Sequence, residues 1–368
     1  MTASATPPRL PRPAGGRAGV RGAPGIGVPG SRAAPRSPAA RGRVIAGLAL
    51  AAALGACAPA PSAPPPASDE PVGTPAPASP GIEAGPRLLL LGNVAGRRTL
   101  SLLRPGAAPV ILPVPGPVTV AVVPLADGSL VSLLADGRAH VVPGGAAGLL
   151  AGEEWQPLGD GGALALPPGT ALGLGAALVP RGSVLAAVAR PSDADVPASL
   201  VLVDAATGER RVVPLAGGAA GPPPAWIDER RVAILARDAL DRTELAVADA
   251  ADGIVVASIA MRALDVRTSG DGATVAVLAS PESVLVGPTA ELLESRTAPP
   301  GGPALAPGDW VVGGMALDAT GRRLAVVGED AGGSSWIVVH ERDGAGWRET
   351  ARLAPPQGAG GGEVAWLP

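Results

Sequence analysis

The sequence predicts an all-β fold, a six-bladed β-propeller, over residues 87–368 of its 368 residues. Three observations predict it. A pair of short apolar strands joined by a polar turn recurs at intervals of about 40 to 50 residues, a spacing typical of propeller blades. Two further strands follow in several repeats, and four strands make one blade. The two ends of this part carry complementary halves of one repeat.

The first strand of each repeat places an alanine before a large apolar residue or a short apolar run. These strands begin at Ala121, Ala177, Ala225, Ala263, Ala316 and Ala365. A polar turn follows, as at Asp127-Gly128 and Asp271-Gly272, and Asp-Gly between apolar runs favours a hairpin because the turn needs positive φ. A second apolar strand is then predicted at 88–91, 130–134, 184–188, 232–235, 275–278 and 324–327.

Third and fourth strands are predicted where another apolar run leads through an Asp-containing turn. Residues 200–203 lead through Asp204 and Gly208 to 211–213, and residues 245–247 lead through Asp249 and Gly253 to 254–256. Residues 336–339 lead through Asp343-Gly344 to Trp347 in the same way. These repeats resemble the bacterial YVTN-type and TolB-type propellers, which implies the same blade architecture here.

The ends of the repeat region predict a closed ring. The chain finishes on a first strand at 363–368, and the region opens on a second strand at 88–91. Pairing the two would complete one blade and remove exposed sheet edges. The count is then six. It becomes seven if the Gly-rich stretch 143–170 is a degenerate unit rather than an insertion.

The residues before the propeller predict an export signal. Residues 44–56 are uncharged, follow Arg41 and Arg43, and end at Cys57, the only cysteine of the chain. The segment has the length of a signal-peptide core and is shorter than the roughly 20 residues that span a bilayer. Leu54-Gly55-Ala56-Cys57 resembles the bacterial lipobox, which implies cleavage before Cys57 and a covalent lipid on its sulfur. The alternative is a stray cysteine behind an alanine-rich helix.

The remaining regions flank this signal. Residues 1–43 hold eight arginines and no acid, and are predicted to be either a disordered basic extension or the result of a misassigned start. Residues 57–86 form a Pro/Ala-rich linker, which the proline content makes semi-rigid and extended. The folded part, 87–368, is long enough for a substantial core.

Charge excludes one class of partner. The chain has no Lys, Phe or Tyr, and 21 of its 29 arginines and all 32 acidic residues lie in 57–368, giving that part a net charge of −11. An acidic domain argues against nucleic-acid binding and against electrostatic attachment to anionic lipid. The expected partners are the membrane, through the lipid, and an envelope protein, glycan or small molecule.

Few residues could carry catalysis. The two histidines, His140 and His340, lie 200 residues apart, and no nucleophile elbow or phosphate-binding loop is present. No cofactor other than the lipid is therefore expected. Asp228, Asp265 and Asp318 occupy similar places in three repeats, so a ring of carboxylates at the channel mouth could bind Ca²⁺ or a polar ligand. They could equally cap tight turns.

These observations predict an extracytoplasmic, lipid-anchored protein whose propeller is a non-enzymatic binding or scaffold module. The alternative from another class is a propeller hydrolase or lactonase that uses channel carboxylates and a metal. The channel mouth distinguishes them. Three carboxylates at metal-ligand distance would favour the enzyme, and a mixture of arginine and apolar side chains would favour binding.

Overall fold

The structure, a computed structural model, describes residues 87–368 except 181, 193–196, 216–222, 238–242 and 345. The basic extension 1–43, the signal segment 44–56 and the linker 57–86 with Cys57 lie outside the described residues. Within the described part, neither helix is long and apolar enough to cross a membrane.

The described residues form 24 strands in six sheets. Blade 1 contains β1 (Leu88–Val94), β2 (Arg97–Leu103), β3 (Val110–Leu112) and the last strand, β24 (Ala359–Trp366). Blade 2 contains β4 (Thr119–Pro124), β5 (Leu130–Leu134), β6 (Ala139–Val142) and β7 (Gln156–Pro157). Blade 3 contains β8 (Thr170–Leu172), β9 (Ala177–Leu178), β10 (Val184–Pro191), β11 (Ser199–Asp204) and β12 (Arg210–Pro214).

The other three blades follow in chain order. Blade 4 contains β13 (Ala225–Trp226), β14 (Arg231–Arg237), β15 (Thr243–Asp249) and β16 (Val255–Arg262). Blade 5 contains β17 (Asp265–Thr268), β18 (Thr274–Ser280) and β19 (Ser283–Pro288). Blade 6 contains β20 (Trp310–Leu317), β21 (Arg323–Glu329), β22 (Ser335–Asp343) and β23 (Gly346–Leu353). All paired strands are antiparallel neighbours, which confirms the predicted six-bladed propeller.

The ring closes as the sequence predicts. β24 is the innermost strand of blade 1 and pairs with β1 in a register that places Leu88 opposite Trp366 and Leu90 opposite Val364. The stretch 143–170 is no seventh blade. It contains a short helix, α1 (Gly145–Leu150), and then β7, which is the outer strand of blade 2.

The core consists of six apolar clusters, one at each junction between neighbouring blades. The alternation of side chains along a strand divides each blade between two junctions. In β10, Leu185 and Ala187 pack toward blade 2, whereas Ala186 and Val188 pack toward blade 4. Every middle strand is therefore buried on both faces, which explains why these strands read as unbroken apolar runs.

Two blades depart from the predicted pattern. The inner strand of blade 3 is split into β8 and β9, which both pair with β10. Blade 5 has three strands, and a second helix, α2 (Thr289–Ser295), follows β19. The free edge of β19 is covered by the segment after α2, where the Val286 amide donates to the carbonyl oxygen of Gly301. Covering an edge in this way prevents pairing with other chains.

Candidate functional site

One face of the ring carries the turns that link the inner strand to the second strand in blades 2 to 6, and we call it the turn face. Neighbouring turns contact one another there. The Asp271 amide of blade 5 donates to the carbonyl oxygen of Ala319 in blade 6, and a Cβ on Gly272 would lie 2.9 Å from Cγ of Pro180 in blade 3. The turn face is therefore a continuous surface in which side chains from several blades meet.

One cavity on the turn face lies between blade 4 and α2 and has a volume of about 480 Å³; we call it the 4–5 cleft. Its charged groups are Arg230 and Arg231, which follow β13, Asp249 at the end of β15, and Arg296 just after α2. Its apolar wall consists of Val247, Val256, Ala257 and Leu293. Cations and apolar groups thus line the same concavity.

A second cavity, of about 390 Å³, lies between blades 3 and 4, and we call it the 3–4 cleft. Arg211, Glu229 and Arg230 provide its charged groups, and Val184, Leu202 and Trp226 are among its apolar ones. Because Arg230 lines both cavities, the two clefts adjoin. Together they gather four arginines from three blades.

The arginines that follow β13 are held by carboxylates. Arg230 donates from Nε to Oδ2 of Asp249 at 2.6 Å, and Arg231 donates from Nε to Oδ2 of Asp228 at 2.7 Å. Burial opposes ionisation of Asp228, but hydrogen bonds from the Arg231 side chain and from the amides of Arg230 and Arg231 lower its pKa overall. Asp228 is therefore an ionised anchor for Arg231.

The channel holds a different charged group, formed by Asp265, Arg267 and Glu363. Nη2 of Arg267 lies 3.2 Å from Oδ2 of Asp265 and 3.0 Å from both carboxylate oxygens of Glu363. The three side chains are only 5%, 10% and 17% exposed, so this is an ion triad in the interior. Burial raises the pKa of Asp265 to about 6, despite the opposing charge of Arg267.

Glycines make room for the triad. Arg267 belongs to blade 5 and Glu363 to blade 1. Blade 6 lies between these two blades, so the ion pair runs alongside the inner strand of blade 6. A Cβ on Gly314 of that strand would lie 3.2 Å from Cα of Glu363, and one on Gly175 of blade 3 would collide with the Glu363 carboxylate. Side chains at either glycine would displace Glu363 from Arg267.

The structure does not bring Asp228, Asp265 and Asp318 together. Asp228 and Asp318 lie in turns after β13 and β20, where Asp318 accepts hydrogen bonds from the amides of Arg322 and Arg323 at 2.8 and 3.1 Å. Asp265 instead begins β17, because the inner strand of blade 5 runs over 265–268 and not from Ala263. Only Asp265 reaches the channel interior, and its nearest charged partner is Arg267.

The histidines are likewise separate. His140 lies in β6 and His340 in β22, where it is buried, and burial lowers the pKa of both. Nδ1 of His140 and Nε2 of His340 are buried without a hydrogen-bond partner in the described part of the chain. Across the same residues no three His, Cys, Asp or Glu side chains are grouped so that they could hold a metal ion.

The main residues of both clefts escape sequence reasoning. Arg230 ends the turn expected at 228–230, Arg231 stands between that turn and the strand predicted at 232–235, and Arg296 stands outside every repeat. The sequence Asp-x-Arg-Arg at 228–231 could have indicated Arg230 and Arg231. An Asp at the start of a turn accepts hydrogen bonds from the amides of the residues after it and so orients them.

Comparisons with known proteins concern the fold. No family model and no curated protein matches the sequence. The structure is similar to the β-propeller domain of Cps50 (Swd1) from Myceliophteria thermophila, at 16% identity over 76% of this chain and 89% of that one, with a TM-score of 0.46. It is similar to a putative TolB from Agrobacterium tumefaciens, at 14% identity over 77% of this chain and 99% of that one, with a TM-score of 0.45.

A third similar structure is a chain of a mitotic checkpoint complex, at 9% identity over 64% of this chain and 80% of that one, with a TM-score of 0.42. The six-bladed propeller is assigned from the six sheets of this chain itself.

Proposed function

We propose that this chain is a membrane-anchored extracytoplasmic lipoprotein whose propeller is a non-enzymatic binding module of the cell envelope. The observation that carries the binding role is the pair of adjoining clefts on the turn face, in which four arginines stand among apolar side chains. Concave sites of a few hundred Å³ with apolar walls and a few placed polar groups are typical of ligand binding.

The anchoring role depends on the sequence around Cys57. A short apolar segment ends in Leu54-Gly55-Ala56-Cys57, and a Pro/Ala-rich linker follows before the first blade. Two or more acyl chains at Cys57 would hold the protein stably at a bilayer, where a single chain binds only marginally. The partner on this side is the membrane itself.

The hydrogen bonds of the carboxylates in the channel and in the turns also support binding rather than hydrolysis. Asp265 and Glu363 are both occupied by Arg267, and Asp228 and Asp318 are occupied by groups of their own turns. A propeller hydrolase or lactonase would need such carboxylates free to hold a metal or to transfer protons to substrate.

The anchor is tested by replacing Cys57 with alanine in the full chain and following radiolabelled palmitate and membrane fractionation. Cys57→Ala should lose the label and leave the membrane fraction, or accumulate as an uncleaved precursor. The Ser62→Ala variant of the linker serves as the control and should behave like wild type. Equal labelling and fractionation of all three proteins would refute the anchor.

The binding role is tested by site-specific photo-cross-linking in intact cells. A benzoyl-phenylalanine at Val256 in the 4–5 cleft should give a discrete adduct in mass spectrometry. The same residue at Val118 is the matched control, because Val118 lies outside both clefts and is 47% exposed against 49% for Val256. Adducts that are absent or equal at the two positions would contradict a binding role for this cleft.

A further inference from the structure

The 4–5 cleft presents three guanidinium groups that come from two blades. Arg230 and Arg231 extend from the turn after β13, and Arg296 extends from the end of α2. Asp249 is the one acidic side chain in its lining. Residues 57–368 have a net charge of −11, so this cation-rich concavity contrasts with the rest of the domain. A ligand drawn into it should carry negative charge.

Two of these cations are fixed before any ligand arrives. Asp249 accepts a hydrogen bond from the Ala251 amide at 2.8 Å while it holds Nε of Arg230, and Asp228 accepts from the Arg230 and Arg231 amides while it holds Arg231. Each carboxylate is thus anchored to the backbone, and each arginine is anchored to a carboxylate. Side chains ordered in advance lose less entropy on binding.

Donors remain available on these arginines. Arg230 uses only Nε, so its two terminal nitrogens make no hydrogen bond to any other described residue. The Arg296 side chain also has no hydrogen bond or ion pair within the described ranges, and it is exposed. A guanidinium offers paired donors that match a carboxylate or a phosphate.

Arg296 has an unusual backbone for a residue with a side chain. It caps α2 with φ 53° and ψ 30°, in the left-handed region that glycine adopts without penalty. A side chain at this position is therefore unfavourable for the left-handed backbone. Arg296 nevertheless occupies it and supplies the third cation of the cleft.

The remaining wall is apolar. Val247, Val256, Ala257 and Leu293 line the cavity beside the arginines, and Val256 is 49% exposed. Val247 is already buried, so a hydrated inorganic ion would leave Val256, Ala257 and Leu293 in contact with water, whereas a ligand with a carbon body would cover them.

We propose that the 4–5 cleft binds a small organic anion, in which a carboxylate or phosphate meets Arg230, Arg231 and Arg296 and an apolar body covers the Val256 wall. This inference rests on the proposed binding function and names the ligand class of that site. Carboxylate and phosphate share the chemistry that arginine recognises, and the probes below separate them.

The test is calorimetric titration of the full chain in a neutral detergent with four probes. Phenyl phosphate and 3-phenylpropanoate carry both features, benzyl alcohol lacks the charge, and inorganic phosphate lacks the carbon body. At least one of the two organic anions should bind ten times more tightly than benzyl alcohol and inorganic phosphate, and added salt should weaken that binding. The organic anion that binds identifies the group. Failure of both organic anions, or equal binding of all four probes, would overturn the proposal.

The decisive variant is Arg296→Gly. It removes the third cation but suits the left-handed backbone, so affinity should fall at least tenfold while the melting temperature stays the same or rises. Arg348→Gln, at an exposed arginine of blade 6, is the matched control and should bind like wild type. Unchanged affinity in Arg296→Gly would refute the site. If both organic anions fail while cross-linking at Val256 succeeds, only the ligand class is wrong; failure of both experiments rejects the binding function as well.

Discussion

The indole of Trp226 donates a hydrogen bond from Nε1 to the carbonyl oxygen of Ala177, 3.1 Å away. Trp366 donates to Ala316 in the same manner, at 3.0 Å. In both pairs the alanine begins an Ala-Leu step of one inner strand, and the tryptophan ends the Ala-Trp step of the next. The Ala-Trp motif therefore links neighbouring blades at the wall of the channel.

The first prediction concerns this link. Trp226→Phe keeps a ring but leaves the Ala177 carbonyl without its donor, which should lower the free energy of unfolding by roughly 1 to 3 kcal/mol. Trp226→Ala also opens a cavity in the junction between blades 3 and 4 and should cost about 3 to 5 kcal/mol. Urea denaturation measures both. In the control, Trp310→Phe, the lost partner is the exposed Glu282, so the change should be under about 1 kcal/mol.

The second prediction concerns ring closure. Deleting Glu363 to Pro368 removes the strand that pairs with Leu88 to Leu91, the buried Val364 and the link from Trp366 to Ala316. We expect aggregation or a much lower melting temperature, because β1 loses the strand that pairs with it and the partly buried Trp366 is removed from the cluster between blades 6 and 1. Deleting only Leu367 and Pro368 leaves the strand intact and removes only the contacts of these two residues with Arg87 and the neighbouring cluster, so it should lower the melting temperature far less. Equal melting of the two truncated chains would contradict closure by β24.

The third prediction concerns the channel triad. Arg267→Met removes the cation that both Asp265 and Glu363 contact in the interior, and should lower the free energy of unfolding by about 3 to 5 kcal/mol. Adding Asp265→Asn and Glu363→Gln to Arg267→Met removes the uncompensated charges and should restore much of that loss. If the triple variant is no more stable than Arg267→Met, the loss arises from packing and not from charge.

The fourth prediction is a pH dependence. Burial raises the pKa of Asp265 from 3.8 to about 6, so between these values the folded state binds this proton more tightly than the unfolded state does. The contribution of Asp265 to stability is therefore present at low pH, declines as pH rises from about 4 to about 6, and stays lost above that. A shift of about two pKa units corresponds to at most about 3 kcal/mol.

Asp265→Asn isolates this effect, because asparagine resembles the protonated acid at every pH. Wild type and variant should be equally stable near pH 4. As pH rises to about 6, the free energy of unfolding of the variant should increase relative to that of wild type. The lowered pKa values of His140 and His340 act in the opposite direction, since their contribution rises with pH, but they are common to both proteins. A constant difference in unfolding free energy between pH 4 and pH 7 would refute the assignment.

The second strands were predictable because each is buried on both faces and so reads as an apolar run. β5 spans Leu130–Leu134, as expected from the sequence, and the closing pair of β1 and β24 followed from the complementary ends. The inner strand of blade 5 was predicted to begin at Ala263, because Ala263-Leu264-Asp265 matches the sequence pattern of the other repeats. The strand begins only at Asp265, where pairing with Leu278 starts.

The charged sites were not predictable, because each is assembled from residues far apart in the chain. Arg267 and Glu363 are 96 positions apart and meet only when the ring closes. The 4–5 cleft depends on α2, a helix that follows β19 in the three-stranded blade 5, and no repeat pattern indicates it. Composition obscured these sites further, because arginine is the only cation of the chain apart from histidine.

The contact between Arg267 and Glu363 joins blades that do not pair with one another. Glu363 belongs to blade 1 and Arg267 to blade 5, and Gly175 of blade 3 lies so close that a Cβ on it would collide with the Glu363 carboxylate. The inner edges of three blades therefore meet at one carboxylate. A shift of any one of these edges would disturb the other two, so the triad is a shared tie between blades that have no strand pairing in common.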